Sequence, residues 1–223
     1  MQNGSSVING NGIHTKEPDG RQFNSSDRMH PADAGLNDDE KIRLISKHFR
    51  QIMAILGMDL NDDSLRGTPD RVAKMYVEEI FSGLDPANEP AVTLFENKYH
   101  YGQMLVEKNI TVYSSCEHHF VPIIGRAHVA YFPNGKVIGL SKINRIVQFY
   151  ARRPQVQERL TEQIAAALKK ALHTEDVAVI VDAAHLCVAS RGISDVNSST
   201  LTAHYGGRFA SEEVKREFLF HIK

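Results

Sequence analysis

The sequence predicts an α+β fold, in which helices and strands occur in separate blocks along the chain. Apolar residues recur at helical spacing between about residues 36 and 83. From about residue 92 onward, β-branched and aromatic residues instead dominate short runs that are typical of strands. Two consecutive helical patterns then interrupt these runs, which differs from the strict alternation of strand and helix in a parallel sheet.

The first 35 residues predict a flexible N-terminal tail. They are rich in Gly, Asn, Ser and Asp and have no sustained apolar period. Such a segment buries too little apolar surface to offset the entropy that it loses on ordering. We therefore divide the chain into a tail at 1–35, an N-terminal helical region at 36–90 and a sheet-containing catalytic domain at 91–223.

Two amphipathic helices are predicted in the helical region. Asn37 is the expected N-cap of the first helix, because Glu40 three residues later completes a capping box. The apolar period of this helix stops at Gly57. The second helix is expected to start at Thr68-Pro69, a cap followed by a proline at the first helical position, and to end around Gly83.

An antiparallel sheet is predicted from three short runs rich in β-branched residues. These runs are Ile110–Tyr113, Ala127–Phe132 and Val137–Leu140. The Asn134-Gly135 step between the last two runs suits a tight turn. We therefore expect those two runs to form a hairpin.

A helix pair, a return strand and a final helix complete the predicted domain. Ser141 is expected to cap the first helix of the pair, and Pro154 to separate it from the second. The run at 177–188 predicts a return strand, and the last helix is expected from about Ser211.

The composition argues against several classes of protein. The 223 residues include 26 Lys and Arg against 27 Asp and Glu, so we expect no nucleic acid or membrane as a partner. No apolar run approaches the roughly 20 residues that a membrane span needs. With only two cysteines and no N-terminal pattern of a secretory signal, we expect a soluble cytoplasmic protein.

Two short segments carry residue types that bind metals. Cys116, His118 and His119 lie within four positions, and His185 and Cys187 lie on the predicted return strand. Thiolate and imidazole ligands suit zinc, and Cys-x-x-His spacing lets both side chains face one ion. Because strand residues two apart share a face, His185 and Cys187 are expected to face the same cavity. The two segments are therefore predicted to converge on one site.

The residues alone leave alternatives to an open zinc site. A free cysteine is often only a small buried apolar residue, and Cys116 with Cys187 would form a disulfide in an oxidising compartment. Four ligands, including both His118 and His119, would make a closed structural site, whereas three leave one position for water. In the open case the free histidine is a candidate acid or base.

A second group of residues suggests an anion site. Lys142 and Arg145 are three apart on the first turn of a predicted helix, where free backbone NH groups favour anions. The alternative is a solvated basic face. A Gly-x-x-x-x-Gly-Lys-Ser/Thr phosphate loop is absent, because Gly135-Lys136 is followed by Val137.

Several ordered motifs follow one another along the chain. They are Thr68-Pro69 with Arg71, Cys116-Glu117-His118-His119, Gly139-Leu140-Ser141-Lys142-Ile143-Asn144-Arg145, Arg153-Pro154-Gln155-Val156-Gln157-Glu158-Arg159-Leu160, His185-Leu186-Cys187 and Arg191-Gly192. Together these motifs resemble the GTP cyclohydrolase I family. The resemblance covers about 180 residues from the first helix onward, and only the N-terminal tail lies outside it.

The resemblance implies the tunnelling fold, an antiparallel sheet with a helix pair inserted between strand hairpins. It also implies a toroidal homodecamer with active sites between subunits. One zinc ion per subunit is assigned to Cys116, His119 and Cys187, which leaves His118 and His185 as catalytic groups.

For the implied substrate, GTP, the resemblance suggests two sets of contacts. Glu158 with Gln157 is expected to anchor guanine, because a carboxylate accepts hydrogen bonds from the ring NH and the exocyclic amine. The alternative for Glu158 is an exposed helix residue. The triphosphate is expected to bind four basic side chains with a serine nearby, namely Arg71, Lys142, Arg145, Arg191 and Ser141.

The implied reaction is a zinc-dependent hydrolysis. Activated water adds to C8 of GTP, His185 protonates the imidazole nitrogen, and His118 moves protons or orients the ribose. Formate leaves and the ring closes to 7,8-dihydroneopterin triphosphate, the entry to folate or tetrahydropterin synthesis. Two other hypotheses are a related enzyme with a cysteine nucleophile and a nicotinamide cofactor, and a non-catalytic oligomer that zinc stabilises.

Overall fold

The structure, a computed structural model, describes residues 35–223. The predicted tail therefore lies outside the described residues, apart from Gly35. The elements are α1 (Asp38–Ile55), α2 (Thr68–Lys74), β1 (Leu94–Glu96), β2 (Leu105–Cys116), β3 (Pro122–Tyr131), β4 (Lys136–Ile138), α3 (Leu140–Ala151), β5 (Pro154–Gln155), α4 (Gln157–Leu172), β6 (Val177–His185), α5 (Leu186–Ala189), β7 (Thr200–Tyr205) and α6 (Glu212–Ile222).

Helix α1 begins and ends as its sequence predicts. The Asn37 side chain accepts a hydrogen bond from the backbone NH of Glu40 at 2.9 Å, and Glu40 accepts one from the backbone NH of Asn37 at 3.0 Å. This reciprocal pair satisfies two of the free NH groups at the helix start. Gly57 lies just beyond the end with φ +79, a left-handed conformation that glycine adopts without strain.

The second helix differs in detail from its prediction. Its N-cap is Gly67 rather than Thr68, and Pro69 is the second helical residue. After Lys74 the chain continues as a π-helical segment, Met75–Ile80, and then as a 3₁₀ turn, Ser82–Leu84. The predicted end near Gly83 is therefore reached through three kinds of helical turn.

A five-stranded sheet forms the centre of the domain, in the order β5-β2-β3-β6-β7. Neighbouring strands are antiparallel, except that β5 pairs with the end of β2 in parallel. The β2–β3 hairpin and the β6–β7 pair are separated in sequence by α3 and α4. This confirms the predicted α+β class, with a helix pair inserted between strand hairpins.

The predicted hairpin around Asn134-Gly135 is wrong. Strand β4 pairs with β1 in a separate two-stranded sheet, with Phe95 opposite Val137. Strand β3 has no free edge for β4, because β2 and β6 already occupy its two sides. Gly135, at φ +70, turns the chain out of the main sheet instead.

Helices α3 and α4 cover one face of the sheet and α6 contributes to a second cluster on the other. Every residue from Val177 to Val181 is buried, because both faces of β6 are covered. The first cluster includes Val112, Ile123, Ile143, Leu160, Ile164 and Val179, and the second includes Ala130, Phe132, Ile180, Phe209 and Phe218.

Two further boundaries differ from the predictions. Helix α3 begins at Leu140 with Gly139 as its N-cap, so Ser141 lies within the first turn and does not cap it. The return strand ends at His185, and the chain then turns into α5. The final helix follows Ser211 as expected, whereas β7 had no counterpart in the sequence analysis. Within residues 35–223, no helix is both long and apolar enough to cross a membrane.

The buried histidine His128 on β3 predicts acid sensitivity of the fold. Its Nδ1 accepts a hydrogen bond from the backbone NH of Asn109 at 3.4 Å, which requires the neutral ring. Burial lowers the pKa of His128, Asp182 opposes this shift, and Arg126 and Lys108 add to it. A lowered pKa in the folded state means that stability is complete above the unfolded pKa, near 6.5, and is lost as the pH falls below it.

We expect the thermal midpoint to fall between about pH 7.5 and about pH 5.5 through His128, by about 2–4 °C for each kcal/mol of stability that is lost. The comparison is with His128→Gln, which keeps an acceptor oxygen and cannot titrate. The difference in acid sensitivity between wild type and variant, followed by thermal unfolding at each pH, isolates this contribution. Identical pH profiles would contradict the assignment.

Candidate active site

The turn between β2 and β3 brings Cys116 and His119 together. The Cys116 carbonyl accepts hydrogen bonds from the backbone NH groups of His119 at 3.3 Å and Phe120 at 2.8 Å. The Cys116 NH donates to the Val121 carbonyl at 2.8 Å, which closes the turn. The Cys116 and His119 side chains are therefore held at one end of the hairpin.

Phe120 has a left-handed backbone, with φ +54, which is unusual for a residue other than glycine. Its ring lies 5.1 Å from the ring of Phe81 and 6.4 Å from that of Tyr76, between ring centroids. Aromatic residues of the helical region thus contact the turn directly.

Cys187 reaches the same place by a route that differs from the prediction. It lies on α5, so the expected strand alternation with His185 is wrong. The ligand atoms of Cys116, His119 and Cys187 nevertheless all lie within 4.8 Å of one another. A strand end, a tight turn and a short helix therefore build one candidate metal centre.

The ligand group contains three members among the described residues, and His118 is not one of them. The His118 Nδ1 lies 3.7 Å from the Cys116 sulfur, but its side chain is 63% exposed and turned towards Glu117. Both cysteines are free, which excludes the disulfide alternative within this structure. Three ligands leave room for a further, exchangeable ligand.

The thiol groups of Cys116 and Cys187 are close enough to affect each other's ionisation. Burial raises the pKa of the Cys187 thiol, and its hydrogen bond with Cys116 raises it further, whereas Arg191 acts in the opposite direction. Two adjacent thiolates repel each other in the absence of a cation. A bound divalent cation would instead favour the thiolate form of both cysteines, because a coordinated thiol is deprotonated.

His185 is held by the buried side chain of Gln157. The His185 Nε2 lies 2.7 Å from the Gln157 Oε1. The Gln157 Nε2 faces three acceptors, the Val181 and Thr200 carbonyls and the Thr202 hydroxyl, at 2.7 to 3.2 Å. These acceptors fix the amide orientation, so Oε1 accepts from His185 and the His185 proton lies on Nε2.

The remaining ring nitrogen of His185, Nδ1, is the atom at which it can exchange a proton. Burial lowers the pKa of His185, and the charge of Glu158 partly offsets this effect. Glu158 is therefore near enough to act on His185 electrostatically, and within the described part of the chain no hydrogen bond occupies its carboxylate. Glu158 and His185 lie at the Cys116 end of the sheet, because Cys116 pairs with Gln155 just before α4 and His185 pairs with Ile123 at the start of β3.

The five residues expected at the triphosphate lie in three places. Arg191 is at the metal centre, where its Nη1 is 3.1 Å from the His119 Nε2. Arg71 binds the Ser64 carbonyl at 2.9 Å and the Thr68 hydroxyl at 3.0 Å, within the helical region. Ser141, Lys142 and Arg145 lie on the first turns of α3.

The start of α3 is at the opposite end of β2 from Cys116. Asn144 donates a hydrogen bond from Nδ2 to the Glu107 Oε1 at 3.0 Å. Glu107 precedes Cys116 by nine positions on the same strand. At about 3.3 Å per residue, roughly 25–30 Å of strand separates the two ends.

Glu117 and Arg159 are not among the predicted site residues, although both lie within motifs that carry the family resemblance. Their side chains form an ion pair at 2.5 Å beside Cys116. A carboxylate directly after a ligand cysteine, and an arginine after the Gln-Glu step, are the signals that could have suggested the pair.

The chain is similar to proteins of one family over most of its length. Residues 45–223 match the family model described as GTP cyclohydrolase I. A protein of Flavobacterium johnsoniae named GTP cyclohydrolase 1 is 64% identical over 188 residues, covering 84% of each chain. A Vibrio cholerae protein of the same name is 56% identical over 185 residues, covering 82% of this chain and 85% of that one.

A solved structure, the archaeosine synthase QueF-Like in the apo form, gives a weaker likeness. Its TM-score is 0.39 at 17% identity, over 47% of this chain and 93% of that one.

Proposed function

The chain belongs to the GTP cyclohydrolase I family, and from this premise we propose how its residues carry out the hydrolysis of GTP. Water opens the imidazole ring of the guanine, C8 leaves as formate, and the remaining atoms form 7,8-dihydroneopterin triphosphate. The net reaction consumes one water. The product is at the entry of folate or tetrahydropterin synthesis, and we propose that the enzyme acts in the cytoplasm, in keeping with its two free cysteines.

The observation that carries the proposal is the convergence of three ligand atoms at the end of the sheet where His185 and Glu158 also lie. Two thiolates and one imidazole are the donor set that zinc prefers, and a three-ligand set is typical of catalytic sites. Cys116, His119 and Cys187 would hold one zinc ion per subunit. When bound, zinc supplies a Lewis acid that allows water to act as a nucleophile near neutral pH.

His185 moves a proton at Nδ1. Its Nε2 proton is committed to Gln157, so a substrate nitrogen or oxygen exchanges a proton only with the other ring nitrogen. Gln157 thereby acts on the substrate through His185, because its own amide already has partners on β6 and β7. Efficient proton transfer requires a partner held within hydrogen-bond reach, and this contact holds the ring.

Glu158 binds the guanine base. Its carboxylate accepts hydrogen bonds from the ring NH and the exocyclic amine, a pattern that adenine cannot offer. A purine anchored on Glu158 lies beside His185, since the two side chains already interact electrostatically. His118, which is exposed next to Cys116, orients the ribose or relays a proton.

The triphosphate contacts support a site shared between subunits. Lys142, Arg145 and Ser141 lie at the far end of β2 from Cys116, and Arg71 is tied to the helical region. One GTP molecule bound at the metal centre does not span that length of strand. A second copy of the chain would place its α3 start near the metal centre of the first, in a homodecamer with sites at subunit interfaces.

Incubation of the purified protein with GTP, followed by measurement of formate and of the fluorescent pterin, tests the proposal. We expect both products, one zinc per subunit and no turnover of ATP. The variant His185→Ala should retain zinc and lose formate release by about 10²–10⁴-fold, the usual contribution of a positioned acid or base. Zinc without formate from the wild-type protein would favour a structural site, and normal turnover by His185→Ala would contradict its proton-transfer role.

A further inference from the structure

Glu117 and Arg159 form a bridge between the turn that carries Cys116 and His119 and the start of α4. The Arg159 Nη2 donates to the Glu117 Oε2 at 2.5 Å and to the Pro154 carbonyl at 2.9 Å. The Arg159 Nε donates to the Gln155 Oε1 at 2.9 Å. One guanidinium therefore joins three acceptors on two segments through two of its nitrogens, and the single nitrogen of a lysine does not reproduce that spacing.

The acceptors of Arg159 are themselves fixed. Gln155 is fully buried, and its amide donates to the Tyr150 carbonyl and to the Gln163 Oε1, both at 2.8 Å. The backbone NH of Glu117 donates to the Gln155 carbonyl at 3.0 Å, which extends the parallel pairing of Cys116 with Gln155. The bridge thus rests on the packed helix pair rather than on the turn alone.

Glu117 lies between the ligand Cys116 and the exposed His118. Its second oxygen, Oε1, is 3.8 Å from the His118 Nε2. A shift of the Glu117 backbone would also displace Cys116 and His118, because stiff planar peptide units join it to both neighbours.

We propose that the Glu117–Arg159 pair is a positioning device that holds the metal-ligand turn in its binding geometry. Glu117 is not a member of the candidate ligand group, and the Arg159 guanidinium donates to Glu117, Pro154 and Gln155. The inference rests on the proposed function only in that it takes Cys116 and His119 as ligands. Groups behind the ligands orient them, and their loss typically reduces metal affinity by about 10–100-fold.

Two variants test the bridge, with a matched control on the same helix. Arg159→Lys keeps the charge and loses the fork, and Glu117→Gln keeps the shape and loses the charge. The control is Lys169→Gln, which breaks the ion pair of Lys169 with Glu175 near the opposite end of α4. We expect zinc to leave the two test variants about 10–100-fold faster than wild type in the presence of a chelator, and the control at the wild-type rate.

Two further measurements separate positioning from catalysis and from general stability. Excess zinc should restore formate release by Arg159→Lys to near the wild-type kcat, with an unchanged KM for GTP. In the metal-free protein, the amides of Glu117 and Phe120 should exchange hydrogen faster in the test variants than in wild type or in the control. If Arg159→Lys does not fold, Glu117→Gln gives the same three readouts.

Wild-type zinc release in both test variants, or activity that stays lost at full zinc occupancy, would overturn the proposal. A wild-type protein that binds zinc and releases no formate would contradict the proposed function. The zinc-release rates of the two test variants would then still test the role of the Glu117–Arg159 pair. If the wild-type protein binds no zinc, the amide hydrogen-exchange rates of Glu117 and Phe120 test whether the pair holds the turn.

Discussion

Replacement of Cys187 by alanine is expected to abolish both metal binding and formate release. The three ligand atoms lie within 4.8 Å of one another, and among the described residues no fourth side chain belongs to this group. Loss of the ion removes several kcal/mol of transition-state stabilisation, so we expect formate release to fall by about 10³-fold or more. Zinc content is measured on the same samples and should fall to less than about a tenth of an ion per subunit.

The neighbouring variant Val188→Ala provides the control for this experiment. Val188 shares the short helix α5 with Cys187, is 37% exposed and offers no ligand atom. It should keep its zinc and its activity, which separates loss of the ligand from disturbance of the helix. One zinc ion per subunit in Cys187→Ala, or turnover at the wild-type rate, would contradict the ligand assignment.

Mixed oligomers of two inactive variants are expected to regain activity if each site is shared between subunits. One chain carries Cys187→Ala and lacks the metal centre. The other carries Lys142→Ala with Arg145→Ala and lacks two charged phosphate contacts, which should lower kcat/KM by about 10²–10⁴-fold. In randomly mixed oligomers, about a quarter of the sites join an intact metal centre to an intact α3, so activity should recover to about a quarter of wild type.

The control for the mixing experiment pairs two lesions in the same metal centre. Oligomers of Cys187→Ala with Cys116→Ala should stay inactive, because every metal centre then carries one lesion. The two chains are co-expressed with different tags, and only doubly tagged oligomers are assayed. If mixed oligomers of Cys187→Ala with the Lys142→Ala and Arg145→Ala chain do not exceed the activity of their parent variants, one chain supplies both ends of its own site and the prediction is contradicted.

Local signals in the sequence were sufficient for the elements that depend on near neighbours. The capping box of Asn37 and Glu40 lies within one turn of helix, and the structure confirms it. The helix pair and the last helix also follow their apolar periods closely. Each of these features is determined by side chains a few positions apart.

Features that depend on distant partners were not predictable in the same way. Strand β4 has turn residues typical of a hairpin before it, but its partner β1 lies some 40 residues away. Strand β7 is short and mostly polar at the edge of the sheet, so it gives little apolar signal. Cys187 was placed on a strand because nothing local indicates that β6 ends at His185.

The sequence was sufficient to predict which residues could bind the metal. It was not sufficient to predict the contacts that support the site. Cysteine and histidine at metal-binding spacing are visible in the sequence, and the structure brings Cys116, His119 and Cys187 together. The role of Gln157 depends on three acceptors from β6 and β7, which the fold alone brings to it. Residues of this kind are identified by their partners rather than by their chemistry.

The left-handed Phe120 has a consequence for the order of events during folding. A strained conformation persists only where its surroundings impose it, and here the rings of Tyr76 and Phe81 lie against Phe120. These rings come from a segment about 40 residues earlier in the chain, whose docking costs loop-closure entropy. We therefore expect the nascent chain to acquire its metal late, after the helical region has docked and given the turn its final shape.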